Sequence, residues 1–334
     1  QLTAFYLKIW LEDELSYLGN CPWQEDLTYA QAVCDQFGVP LHVVSMQKEY
    51  HQKVVSYLLD EIKKGRTPNP DVLCNQQIKF GAFFDHINQH YAHEKFDYVA
   101  TGHYAQIEHG QCVSVLKKGV DPIKDQTYFL AYLNQNQSQK ALFPIGSLPK
   151  SEVRALALRY NLLNAERKDS QGICFLGKFN FADFLRAHIP NRMGNIVEFE
   201  THTILGTHEG FWFYTIGQRH GLKLAGGPWY VVSKDVEENV IYVSNQYKDI
   251  TWAKNGMIVS DVHWNQGHKP LKIDLDVRFR HGPTVHPCLV YYLPDEHLKI
   301  VLKEPSQQGI AQGQFAVLYD GEVCLGGGFI QKAF

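Results

Sequence analysis

Two cysteines stand in settings where a thiol can react. The first, Cys74, follows a proline-set turn in "GRTPNPDVLCNQQIKF", residues 65–80. Asn69 suits the N-cap of a helix, Pro70 its first position, and Asp71 the positive end of its dipole. Taken alone, "NPD" is an ordinary helix start. Cys74 then falls within the first turn and a half, where the positive helix end lowers a thiol pKa and permits a nucleophilic thiolate. The competing reading is a small core hydrophobe, which describes most intracellular cysteines. The second, Cys174, lies in the glycine-flanked loop "RKDSQGICFLG", near Arg167 and Lys168. Glycine lets a backbone approach a ligand closely, and the cations favour thiolate. A lone loop cysteine is usually incidental, whereas two in electropositive turns suit a redox or sulfur-relay pair. Their distance along the chain says nothing about contact in space.

Other polar clusters have plainer explanations beside their functional ones. "GVDPIKDQTYFL" carries Lys124, Asp125 and Gln126 ahead of an apolar helix start, which fits capping and solvated charge. "VRFR", residues 277–280, alternates outward arginines with inward apolar residues on a strand. Most such strands present a solvated face, but an aromatic between two arginines also serves RNA phosphates and bases. The sixteen histidines are read as scattered, without the H-x-x-x-H or H-E-x-x-H spacing of a metal site, and no metal site is expected from them. No G-x-x-x-x-G-K-[ST] occurs, and no glycine-rich loop follows a first strand. A phosphate cradle, if the protein has one, lies outside these residues.

The elements that position these residues alternate at first. "LTAFYLKIW" is a strand candidate, "QEDLTYAQAVCDQFG" an amphipathic helix closed by Gly38, and "LHVVSM" a short buried strand. A helix over "KEYHQKVVSYLLDEIKKG" and another from about Pro70 to Tyr91 follow, then a strand at "DYVATGHY". Such alternation predicts a parallel α/β sheet, with ligands beyond the carboxyl ends of its strands, where Gly102 and His103 lie. From about Lys124 to Pro190 the pattern is helical, clearest in "PKSEVRALALRYN" and "FNFADFLRAHIP". After Gly194 it becomes all-β, with a hairpin turn at "DVEEN" and a bulge or bend at "CLGGGF".

The whole chain sets outer limits. Its 334 residues predict two or three domains and a large core. No run of about 18 apolar residues predicts a membrane span. A net charge of −3 excludes a polycation, so nucleic-acid binding must come from local patches. Seven cysteines without a C-x-x-C pair argue against structural zinc and a secreted disulfide framework, and for a reducing compartment. The sequence opens without methionine and directly on a strand pattern, so a preceding segment is expected.

Along essentially its whole length the chain resembles the bacterial and organellar tRNA 2-thiouridylases, or tRNA-uridine 2-sulfurtransferases. The motifs are "GRTPNPDVLCN", "ATGHY", "KDQTYFL", "LFPIG", "KDSQGICFLG", "TIGQRHGL", "PWYVVSKD", "VRFR" and "GEVCLGGG", in that order. The resemblance implies an α/β plus all-β protein. An ATP-pyrophosphatase-like (adenine nucleotide α-hydrolase-like) domain with a helical tRNA-binding part would span 1–190, a small central β domain 191–250, and a C-terminal β-barrel 251–334. It implies ATP, with Mg2+, adenylylating the C2 oxygen of the wobble uridine, which a persulfide sulfur then replaces.

By position, Cys174 resembles the persulfide carrier and Cys74 the nucleophile that frees its sulfur, leaving a Cys74–Cys174 disulfide. Asn69, Pro70 and Asp71 would meet the target base, with Asp71 a candidate acid/base. His103, Lys124, Asp125, Gln126, Arg278, Phe279 and Gln314 match tRNA-contacting positions, and Gly102 an ATP-contacting glycine. Leu7 stands where the family often has methionine against adenine, a volume-conserving swap. The implied partners are tRNA and a sulfur-carrier or cysteine desulfurase protein. A monomer without membrane association, in a bacterial cytoplasm or an organelle, is expected. One departure is plain: the family's Ser-Gly-Gly-x-Asp-Ser phosphate loop, expected before "LTAFYLKIW", is not in this sequence. The intact remainder favours a piece of a longer protein over a non-catalytic tRNA-binding relative that has lost its ATP site. A third reading, an amidating or ligating ATP-pyrophosphatase, would need no cysteine pair.

Overall fold

The structure, a computed structural model, describes residues 2–9, 22–167, 181–246, 254–306 and 309–334. The chain forms two compact units: Gln1–Tyr57 with Pro70–Phe184, and Leu58–Asn69 with Leu185–Phe334.

The first unit opens with β1 (Ala4–Lys8), helix α1 (Pro22–Phe37) and β2 (Leu41–Ser45). Gly38, at φ 62°, ends α1 in the left-handed conformation that glycine adopts without strain. β1 and β2 are parallel, with Ala4 opposite Leu41 and Lys8 opposite Ser45. Helix α2 (47–63) contains a π-helical stretch at His51–Val55, and its buried Tyr50, Val54 and Val55 form core. Helix α3 (70–90) follows, with a second π stretch at Cys74–Ala82.

The strand expected across "DYVATGHY" is only two residues long, β3 (Val99–Ala100). An unanticipated hairpin comes next, β4 (Ala105–His109) and β5 (Ser114–Lys118), whose arms are too short for alternation to stand out. The predicted helical stretch contains α4 (Thr127–Leu130), α5 (Gln135–Lys140), α6 (Lys150–Arg159) and α7 (Phe181–His188). β6 (Ala141–Leu142) lies parallel to β3. Parallel pairing is thus as predicted, but among the described residues of this unit it comes as two separate pairs, β1–β2 and β3–β6.

The second unit holds two β assemblies. In the first, β7 (Gly194–Glu198), β8 (Ile204–His208), β9 (Tyr230–Asp235) and β10 (Val240–Ser244) run in the order β8–β7–β10–β9. Its core includes Ile196, Phe211, Trp229 and Ile241. The "DVEEN" turn is present, with Asp235 Oδ1 accepting from the Glu238 amide at 3.0 Å. The second assembly is a closed barrel of β11 (Lys254–Trp264), β12 (Asp274–Arg278), β13 (His286–Tyr292), β14 (Leu298–Ser306), β15 (Phe315–Asp320) and β16 (Val323–Ala333). Pairing of β11 with β16 completes it. The glycines of "CLGGGF" lie within β16, and the registers of β11 and β15 both slip beside them. A Cβ at Gly327 would collide with the Ala316 carbonyl, so only glycine lets these strands close.

Candidate active site

Helix α3 begins at Pro70, as its fixed φ predicts, and Pro70 is buried. Asp71 occupies the first turn, half-buried, and Cys74 opens the π stretch with 1% of its surface exposed. The expectation that the helix end would lower the Cys74 pKa is overturned. Burial pushes the thiol up to about 11; the Lys79 ammonium opposes this, the Asp71 carboxylate adds to it, and a Tyr50 hydrogen bond opposes it. Desolvation outweighs the dipole because the sulfur sits in the core, away from the open end of the helix.

A side chain from α5 adds hydrogen bonds to two carbonyls of the π stretch. Gln137 Nε2 donates to Gln76 O at 2.8 Å and to Phe80 O at 2.9 Å. Gly81 keeps Gln76 O accessible, since a Cβ there would sit 2.8 Å from that oxygen. Asn75, in turn, donates to Phe129 O at 3.1 Å, tying the cysteine helix to "KDQTYFL".

That motif is held to "ATGHY" by the backbone. Gln126 Oε1 accepts from the Tyr104 amide at 3.0 Å, and the Gln126 amide donates to Tyr104 O at 2.9 Å. Asp125 is buried and accepts from the Gly119 amide at 2.9 Å and from the Thr127 hydroxyl at 2.8 Å, which is the capping role. Lys124 is half-buried. His103 is buried between Phe80 and Phe143, with Nδ1 2.7 Å from Thr101 Oγ1. Burial, with Lys79 adding, holds its pKa well below the usual histidine range, so the imidazole is neutral. The first unit therefore gathers Cys74, Asp71, Lys79, His103 and Gln126 through contiguous contacts, and Tyr50, Lys79 and Gln137 are members that motif reading missed. Their positions follow from a π turn, which leaves no mark in hydrophobic periodicity.

Leu7 lines a cavity of about 380 Å³ together with Leu2, Phe5, Lys79, Phe83, Ile87, Phe96 and residues 98–101. Gly102 is exposed, with nothing within 4 Å of where a Cβ would stand. These residues fit the apolar adenine side of ATP, while the described residues of this unit contain no glycine-rich loop after a strand that would cradle its phosphates.

In the second unit the "GRTPN" segment is strapped to the barrel. The Thr67 amide donates to Gln312 O at 2.8 Å, and Gln314 Nε2 donates to Thr67 O at 2.6 Å. Gly313, at φ 87°, lets the two backbones meet, since a Cβ would stand 2.9 Å from Arg66 Cβ. Arg66 Nη1 also pairs with Glu61 Oε2 at 2.9 Å. Asn69 ends this strapped segment and lies with Gln314 in the second unit, whereas Pro70 and Asp71 belong to the first.

The outward face expected for "VRFR" is not found. Arg278 is 3% exposed, its guanidinium 5.2 Å from the centroid of the Tyr319 ring, and Phe279 is 1% exposed in the barrel core, stacked on His286. Aromatic cover on the outer face of β12, not solvent, receives the arginine. Arg280 Nη2 donates to Ile216 O at 3.0 Å.

Cys174 and Lys168 lie outside the described residues. Arg167, expected to favour a thiolate there, is ion-paired with Asp26 and lies over the Tyr29 ring. His86 and His90 do have H-x-x-x-H spacing, with stacked rings 4.2 Å apart, but no group of three metal-ligating side chains occurs among the described residues. No described helix is long and apolar enough to cross a membrane.

Comparison with known proteins covers the whole chain. A family model described as the tRNA methyl transferase HUP domain matches residues 1–178. Models of the tRNA methyl transferase PRC-barrel domain and the aminomethyltransferase beta-barrel domain match 182–245 and 254–330. The chain is 44% identical to a tRNA-specific 2-thiouridylase of Bacteroides thetaiotaomicron, over 99% of this chain and 92% of that protein. It is 42% identical to the protein of that name from Alkaliphilus oremlandii, over 99% of this chain and 90% of the relative. A third, from Listeria monocytogenes, is 42% identical over 100% of this chain and 88% of its own length.

Proposed function

The chain belongs to the family of tRNA-specific 2-thiouridylases, and from that premise we propose how its residues carry out the ATP-dependent 2-thiolation of tRNA. Full-length similarity to relatives of that name carries the reading. Bound ATP supplies the adenylyl group that makes the uridine C2 oxygen a leaving group. Leu7 and Gly102 would hold its adenosine side. Asn69, Pro70 and Asp71 receive the wobble base, and Asp71 is the acid/base beside it.

The sulfur step belongs to the two cysteines. Cys174 carries the persulfide, delivered by a sulfur-carrier or desulfurase protein. The Cys74 thiolate attacks the Cys174 sulfur, forming a Cys74–Cys174 disulfide and releasing hydrosulfide, which takes the place of the activated oxygen at C2. A thiol reductant then returns two electrons and reopens the disulfide. With its pKa near 11, Cys74 is held silent until tRNA reorders its surroundings. Of the tRNA-contacting positions, buried His103 and Asp125 and half-buried Gln126 act as a frame, since each is committed to hydrogen bonds within its own unit.

The test uses cells whose only copy of the gene carries Cys74→Ser or Cys174→Ser, with thiolated tRNA read by gel shift on a mercury-containing matrix. Both variants should accumulate as folded protein, bind tRNA and leave it without 2-thiouridine. Wild-type thiolation in Cys74→Ser would return that residue to a purely structural role.

A further inference from the structure

The π register of α3 puts two functional groups on one side of the helix. Cys74 opens the π stretch, and Lys79 stands five residues on. In an α-helix, residues five apart point about 140° away from each other. Bonding from i to i+5 closes one turn over those five residues and brings Lys79 round to the side of Cys74. Gln137 braces this register through the Gln76 and Phe80 carbonyls.

Lys79 also borders open space. It is half-buried and lines the cavity of about 380 Å³ with Leu7 and Thr101. Thr101 Oγ1 lies 2.7 Å from His103 Nδ1, and the ring of Phe80, next in sequence to Lys79, lies near the same imidazole. One ammonium thus acts on both Cys74 and His103.

The groups around Cys74 pull in opposite directions. Burial is the largest influence and pushes the thiol up to about 11; Lys79 opposes it, Asp71 on the same helix adds to it, and a Tyr50 hydrogen bond from α2 opposes it. Helix α4 also packs on the π stretch, but its residues, Thr127, Tyr128, Phe129 and Leu130, carry no charge at neutral pH. Asp125, just ahead of α4, is committed to Gly119 and Thr127. His103 is neutral and adds no positive charge. Among the described residues that act on the sulfur, Lys79 is the cation.

We propose that Lys79 is a positioning residue of the sulfur step, its ammonium held by the π stretch as the counter-ion of the Cys74 thiolate that attacks the Cys174 persulfide. This role rests on the sulfur relay of the proposed function. When tRNA relieves the burial of Cys74, the thiol gives its proton to water and the negative charge stays beside the ammonium. Attack forms the Cys74–Cys174 bond, breaks the sulfur–sulfur bond of the persulfide and passes the charge to hydrosulfide. The ammonium therefore faces one negative charge before and after the step.

The test alkylates Cys74 in the 334-residue chain with neutral iodoacetamide and with anionic iodoacetate, with and without tRNA, taking exposed Cys112 as internal standard. Peptide mass spectrometry reads both rates. Lys79→Met should slow iodoacetamide about tenfold, because a nearby cation favours thiolate. It should also lower the iodoacetate-to-iodoacetamide rate ratio about threefold, because the anionic reagent loses its attraction. Lys79→Gln, a second neutral variant, should do the same, while Lys79→Arg keeps the charge and should hold the ratio within about twofold of wild type. Urea midpoints show which variants are folded. Equal slowing of the two reagents marks a change of access alone and overturns the assignment, as does a wild-type ratio in the neutral variants. Thiolation in cells separates this outcome from the relay. A lowered ratio beside wild-type thiolation in Cys74→Ser supports the ion pair and counts against the relay. An unchanged ratio beside an inactive Cys74→Ser keeps the relay and refutes the role of Lys79.

Discussion

At the scale of single residues, Cys74 is the sharpest case. A thiol with a pKa near 11 is thiolate in about one molecule in ten thousand at pH 7, and burial slows its reaction further. Alkylation of Cys74 by iodoacetamide, followed by peptide mass spectrometry, should lag far behind that of the exposed Cys112. Its rate should climb about tenfold per pH unit through pH 9 without levelling. Bound tRNA should accelerate it; a plateau near pH 8 in the free protein would contradict the buried thiol. Arg278 needs a different expectation from that of a surface cation. With its guanidinium over Tyr319, Arg278→Ala should lower barrel stability by about 1–3 kcal/mol in urea unfolding, besides weakening tRNA binding. Residue types were legible here where backbone chemistry decides them, as at Pro70 and Gly38. Burial was not: whether an arginine between Val277 and Phe279 meets water or Tyr319 depends on a partner some 40 residues away in sequence.

At the scale of elements, the π stretch of α3 depends on Gln137. Gln137→Ala leaves the Gln76 and Phe80 carbonyls without that donor and should cost about 1–3 kcal/mol, read as a lower urea midpoint. Gln137→Glu should cost more at neutral pH, because a carboxylate repels both oxygens. β9 offers a pH-dependent counterpart. Lys234, its Nζ 3.0 Å from Tyr214 O, has its pKa lowered by burial to about 8, against about 10.4 in an unfolded chain. Between those values the unfolded chain holds a proton that the folded chain releases, so stability rises with pH across the window and is lowest below pH 8. Lys234→Met should remove that slope and, after the lost hydrogen bond, gain about 1–2 kcal/mol at pH 7. Thermal unfolding from pH 7 to 10 checks both. Long periodic elements such as α1 and the "DVEEN" hairpin were readable from sequence. The brevity of β3 and the β4–β5 hairpin were not, because pairing partners rather than local pattern set them.

At the scale of the whole molecule, tRNA binding by a chain of net charge −3 should still weaken steeply with salt, since local cations displace counterions from phosphates. A flat filter-binding profile between 50 and 200 mM salt (about the range where the effect is large) would contradict that. The strapping of "GRTPN" to the barrel gives another outcome. Gln314→Ala should raise tryptic cleavage after Arg66 several-fold, and a chain ending at Ser244 should be cut there faster still. Equal cleavage in all three proteins would show that Thr67 is held by other means. The order of domains was legible from the sequence. The membership of Leu58–Asn69 in the barrel-bearing unit was not, because nothing local marks a segment whose partners lie near Gln312. This membership bears on heredity as well as mechanics. The barrel cannot be exchanged between relatives as a cassette with one junction, since a donor's barrel would meet the recipient's own residues 65–69. Recombinants that work should carry both stretches from the same parent, and the two should change together as lineages diverge.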